Sequence, residues 1–97
     1  MIVEQQTIDT YEAIRQMRKL SSEGKSFSLT HSTYNRDEQS SHGLRHCESA
    51  ILRPAAKGDD VANADLKLFY YDQDNRVNRN AWQPLIMYFN GERCILT

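Results

Sequence analysis

The chain lacks most of the features that narrow a function quickly. It has two cysteines in 97 residues, Cys47 and Cys94, and no C-x-x-C pair, so neither a disulfide framework nor a zinc knuckle can be read from their spacing. Two free thiols in a reducing cytosol are the expectation. No apolar run approaches the roughly eighteen residues that a membrane span needs. The start, "MIVEQQTIDTYEAIRQ", carries Glu4 and Asp9 and has no basic segment leading into an apolar one, which excludes a secretory signal. The expected mature protein is the whole chain, cytoplasmic, or in a virion if phage-derived. An excess of charge is also missing: 12 Lys and Arg face 13 Asp and Glu, with pI near 6.3. No global field draws such a protein to phosphate backbones or anionic membranes, and nucleic-acid binding would need a local patch. There is no internal repeat and no low-complexity tract.

What is present suits one small domain spanning 1–97, since 39% hydrophobic content in 97 residues supplies a single modest core. The stretch "IDTYEAIRQMRKLSSEG" predicts an amphipathic helix over about 10–23. Asp9 can cap its start against Glu12, with Ile8 and Ala13 placed for a hydrophobic staple. Ala13, Ile14, Met17 and Leu20 follow helical spacing, and Gly24 suits the left-handed residue after the last turn.

Beyond Gly24 the period changes to two. Phe27, Leu29, His31 and Thr33 share one face of "KSFSLTHSTY", which reads as a strand covered on one side. "NRDEQSSHG" is a loop, and "LRHCESAILRP" a second strand whose imperfect alternation suggests a bulge. "AAKGDDVANAD" is a connector with room for one helical turn, "LKLFYYD" a third strand, "QDNRVNRN" a polar loop and "AWQPLIMYF" a fourth strand. The predicted strands thus cover about 26–34, 44–53, 65–71, 80–89 and 92–97.

Asn90-Gly91 between two apolar runs predicts a type I′ hairpin, because that turn needs positive φ at both central residues. Its register sets Phe89 opposite Glu92 and Tyr88 opposite Arg93, and by extension Ile86 opposite Ile95. Strict alternation would put Leu85, Met87, Cys94 and Leu96 on one face and Ile86, Tyr88 and Ile95 on the other. The expected fold class is α+β: one N-terminal helix followed by about five antiparallel strands, with the fourth central. These form a curled sheet or a small SH3/Sm-like barrel.

The chemistry-bearing candidates are sparse. His42, His46 and Cys47 are the metal candidates, since His-x-x-x-His is the helical zinc spacing. On a strand that spacing sets the two histidines roughly 13 Å apart, and His46 and Cys47 point to opposite faces. No metal or other cofactor is expected. "SSH" lacks the nucleophile elbow of a serine hydrolase. A Cys94–His31 pair is the remaining nucleophilic combination, yet cysteine in an apolar strand is ordinarily core. Asp72-Gln73-Asp74-Asn75 lacks the glycine and glutamate of a calcium loop. "GKS" at 24–26 follows a helix where a phosphate loop precedes one.

Three blocks, "SFSLTHSTYNRDEQSSHGLRHCESAILRP", "ADLKLFYYD" and "WQPLIMYFNG", resemble a pattern in short uncharacterised proteins encoded by prophages and other mobile elements of gut anaerobic bacteria. The resemblance covers about three quarters of the chain, and its motifs are structural. It implies a setting among small virion, assembly or accessory proteins and carries no site residue.

The functional expectation is a non-enzymatic interaction or assembly module whose partner is protein, a second copy or a larger assembly, with no membrane. Ile86, Tyr88, Arg93 and Ile95 on the terminal hairpin are the candidate contact residues, and the last strand is the expected open edge. The alternative is a small nucleic-acid-binding β-barrel using Arg76 and Arg79 for phosphates with Tyr71 and Trp82 for stacking.

Overall fold

The computed structural model describes residues 6–35, 40–55 and 64–96. Strand β1 (Thr7–Asp9) runs directly into helix α1 (Thr10–Ser22), followed by β2 (Phe27–Asn35), β3 (Ser40–Leu52), β4 (Lys67–Asp72), β5 (Val77–Trp82), β6 (Ile86–Phe89) and β7 (Glu92–Ile95). Short 3-10 turns at Ala64–Leu66 and Gln83–Leu85 precede β4 and β6. Most of the predicted connector after Pro54 lies outside the described residues; its final turn is the first of these.

Local signals set both ends of α1. Asp9 Oδ2 accepts hydrogen bonds from the backbone N–H groups of Tyr11 and Glu12 at 3.1 and 3.2 Å, satisfying donors that the first turn cannot. Glu12 forms an ion pair with Arg15 at 2.9 Å. At the other end Gly24 takes φ +74, and the N–H groups of Lys25 and Gly24 bond to the carbonyls of Leu20 and Ser21. That pairing is a Schellman motif, which needs a left-handed residue after the cap. Ala13, Ile14 and Met17 are buried as the helical spacing predicts, Leu20 is half-buried, and Thr10, outside the predicted stripe, is buried as well.

The sheet differs from expectation in strand number, direction and closure. Its order is β1-β7-β6-β2-β3-β4-β5. Every neighbouring pair is antiparallel except β1 with β7, which is parallel. The predicted five strands become seven for two reasons. Residues 7–9, taken for the approach to the helix, form β1. The single strand predicted over 80–89 is two strands, because Pro84 offers no N–H to a ladder and the chain turns at Gln83–Leu85. Beside it, the tail of the supposed polar loop, Val77–Arg79, belongs to β5. The central strand is β2, not the predicted fourth. The barrel alternative also fails, since β5 pairs only with β4 and β1 only with β7 among the described residues, leaving an open sheet.

Two bulges decide which side chains face α1. On β3, Leu29 pairs with Cys47 but Phe27 with Ala50, so the extra residue shifts the alternation. Cys47 and Ala50 both become buried while Leu44 is 63% exposed. The predicted bulge is present, but Leu44 and His46 stand on the side opposite to Ala50. On β6, Thr30 pairs with Tyr88 and His31 with Ile86, with Met87 the extra residue between them. Ile86 and Phe89 therefore both point inward, which breaks the strict alternation expected of the hairpin. The buried set under α1 comprises Phe27, Leu29, Cys47, Ala50, Leu68, Tyr70, Ala81, Ile86 and Phe89, with Ile8, Leu20, Leu52 and Cys94 packed at its margin. Phe27 and Phe89 meet as a tilted ring pair 5.8 Å apart.

The Gln83–Leu85 link is only three residues long, yet the strands it joins are far apart in the sheet order. The sheet must curl to allow this, which brings the β5 edge back toward β2.

Candidate functional site

Three places collect the chemistry-bearing side chains. The largest polar assembly lies on the inner face where α1 contributes nothing to the lining: a pocket of about 230 Å³ bounded by His31, Ser32 and Thr33 of β2, Arg45 of β3 and residues 78–82 of β5. The ladder explains the grouping, since Arg45 pairs with His31 and Arg79 with Tyr70. Cross-strand partners share a face.

His31 is 3% exposed. Its Nδ1 lies 3.3 Å from the Ser32 carbonyl, which can only accept, so Nδ1 carries the proton. Nε2 then accepts from the Tyr70 hydroxyl at 2.8 Å. Burial, reinforced by the nearby positive charges of Arg45 and Arg79, lowers the His31 pKa below its ordinary value, which keeps the imidazole neutral. Burial likewise pushes the Tyr70 hydroxyl up to about 12.

Arg79 donates from Nε to Asp72 Oδ2 at 3.2 Å. Asp72 is 2% exposed and also receives the Asn75 amide at 2.8 Å and the N–H groups of Asp74 and Asn75 at 3.1 Å each. These donors, the Asn75 side chain foremost, hold its carboxyl down at about 2. The sequence shows Asp72-x-Asp74 only as a failed calcium loop; its use as an anchor for Arg79 is visible once β4 and β5 are paired.

The second place is the terminal hairpin. The Asn-Gly turn forms as expected, with φ +48 at Asn90 and +84 at Gly91, and Tyr88 pairs with Arg93 and Phe89 with Glu92. The ladder to β6 ends there, and Ile86 does not meet Ile95. Of the predicted contact residues, Ile86 is 3% exposed and unavailable to a partner. Tyr88 is half-buried, while Arg93 and Ile95 are exposed. Nearby, an open groove of about 410 Å³ is lined by Leu85, Met87, Tyr88, Arg93 and Leu96 among others. The predicted open edge at the last strand is overturned: Thr7, Ile8 and Asp9 pair with Arg93, Cys94 and Ile95, so β7 has a neighbour on each side. The true long edge is β5.

The third place is the outer face around His46. Its Nε2 donates to Glu48 Oε1 at 2.5 Å, and its Nδ1 meets the Thr30 hydroxyl at 2.6 Å. Cys47 is buried on the other face, so the two cannot converge on one ion. The side chain of His42 lies outside the described residues, and no cluster of three potential ligands exists among those described.

Burial pushes both thiols up to about 11, which keeps them protonated at neutral pH. The Cys94–His31 pair does not form: both ring nitrogens of His31 have other partners, and the Cys94 thiol lies 4.0 Å from the Glu92 carbonyl.

Of the nucleic-acid candidates, Arg79 and Trp82 line the same pocket. Tyr71 and Arg76 are not part of that lining; Tyr71 pairs with Asn78 and Arg76 occupies the β4–β5 turn with φ +54. Trp82 also carries Lys67 Nζ 5.0 Å from its ring centroid. Arg45 is one of several scattered basic residues in the sequence, and only the β2–β3 register sets it beside this pocket. No helix among the described residues is long and apolar enough to cross a membrane. Compared with protein-family models, curated proteins and solved structures, the chain has no match.

Proposed function

We propose that the domain is a non-enzymatic assembly module that joins a second copy of itself through the β5 edge. The supporting observation is that Val77–Trp82, six residues long, pairs with β4 alone among the described residues. It carries neither lysine nor proline, the residues that commonly blunt such an edge. The opposite edge, β1, is only three residues long. An exposed strand pairs most simply with its own symmetry mate, antiparallel across a twofold axis, so that each unpaired N–H and C=O finds a partner. Asn78 and Asn80 are exposed and would lie within that junction. The setting implied by the resemblance, a small accessory or structural protein of a phage or mobile element, belongs to the same reading.

Sedimentation equilibrium on the wild type and on Asn78→Lys/Asn80→Lys tests the proposal. A concentration-dependent dimer that the double substitution returns to monomer is the expected result; a wild type that stays monomeric at millimolar concentration refutes it. Nucleic-acid binding is the second reading, favoured by the shared pocket of Arg79 and Trp82. Its measurement is a salt-dependent shift of a labelled single strand, lost on removing both Arg76 and Arg79.

A further inference from the structure

We infer that the pocket between β2, β3 and β5 is a binding site for the phosphate group of a small phosphorylated ligand. Arg45 and Arg79 line it from two different strands. Arg45 is half-buried and has no carboxylate partner among the described residues. Arg79 uses only Nε on Asp72, so its two Nη groups have no protein acceptor among those residues. Two guanidinium groups converging on one pocket suit an oxyanion, because each can offer paired N–H donors in a fixed plane. Asn78 and Asn80 also line it, along the edge of β5.

His31 does not hold the ligand directly. Both of its nitrogens are engaged, and it serves as a neutral wall between the two arginines. At about 230 Å³ the pocket is smaller than the roughly 300–1,000 Å³ that encloses a drug-sized molecule. It holds the phosphate and leaves the rest of the ligand outside, beside Trp82. Asp72 pairs with Arg79 through Nε at 3.2 Å and offsets part of that charge, so Arg45 supplies the larger share of the uncompensated positive charge at the pocket. The pocket shares Asn78 and Asn80 with the proposed β5 junction, so binding is measured at concentrations where the chain is monomeric.

Trp82 is the only tryptophan in the chain, so its fluorescence reports this pocket. The experiment titrates the protein with inorganic phosphate, ribose 5-phosphate and, as a control, acetate, all at one ionic strength, with calorimetry alongside. A saturable change with both phosphate probes, weakened roughly tenfold or more by Arg45→Gln, is expected. Asn80→Asp, which adds a negative charge at the rim, weakens binding in the same direction, and an unchanged melting temperature shows that each variant is folded. Equal binding of acetate overturns the phosphate assignment. Equal affinity in Arg45→Gln removes the site from this pocket, and no saturable signal by either method refutes the inference outright.

Discussion

The two tight hairpins, β4–β5 and β6–β7, are closed by different physics. In β6–β7 the turn closes itself: Asn90 and Gly91 hold the positive φ angles a type I′ turn requires. The Asn90 side chain then accepts from the Ser28 N–H at 2.8 Å, tying the turn to β2. In β4–β5 the turn residues are poorly suited to their conformation, since Arg76 sits at φ +54, where a side chain costs about 1 kcal/mol. That hairpin is held by one buried carboxylate, Asp72, with four hydrogen-bond donors from Asp74, Asn75 and Arg79. A locally encoded turn tolerates change elsewhere, whereas an anchored turn depends on one side chain.

Breaking the anchor has the largest expected effect. Asp72→Ala strands the half-buried Arg79 and the turn amides, and should cost about 3–4 kcal/mol in chemical denaturation. The same residue makes stability depend on acid. Its folded pKa, about 2, lies below its ordinary value of 3.8, so its contribution is complete above about pH 4 and is lost as pH falls toward 2. Wild type should lose about 2 kcal/mol more than Asp72→Asn across that window; parallel acid profiles would remove the anchor role.

Asn90→Ala comes next, at about 2 kcal/mol, because alanine resists positive φ and the bond to Ser28 is lost. Thermal unfolding compared with Ser28→Ala, which keeps the N–H donor and so should be near neutral, separates that backbone contact from the hydroxyl. Gly91→Ala should cost about 1 kcal/mol. No atom lies within 4 Å of the added methyl, so the whole effect is conformational. The smallest change runs the other way: Arg76→Gly relieves the left-handed residue and should stabilise by about 0.5 kcal/mol. If it destabilises instead, Arg76 makes a contribution that the turn geometry does not explain.

The polar pocket and the region under α1 differ in the same way. Ala13, Ile14 and Met17 were legible as a buried helical stripe, and Phe27, Leu29 and His31 as one face of a strand, because each pattern depends on a few neighbours along the chain. Arg45 was not legible as a partner of His31, since thirteen intervening residues and a bulge separate the pattern from the pairing. The hairpin faces were misassigned for a related reason. Met87 as a bulged residue follows from the fit of β6 against β2, not from anything in "PLIMYF".

By itself the sequence determined the α1 boundaries, the Asn90-Gly91 turn and the class, one helix with antiparallel strands, because capping, glycine geometry and periodicity act within a few residues. Only the tertiary structure decided that β1 covers β7, that β5 is the long edge, and that Arg45 and Arg79 flank one pocket. Those outcomes rest on which distant strands pair and with what slip, and a one-residue slip reverses every face that follows it.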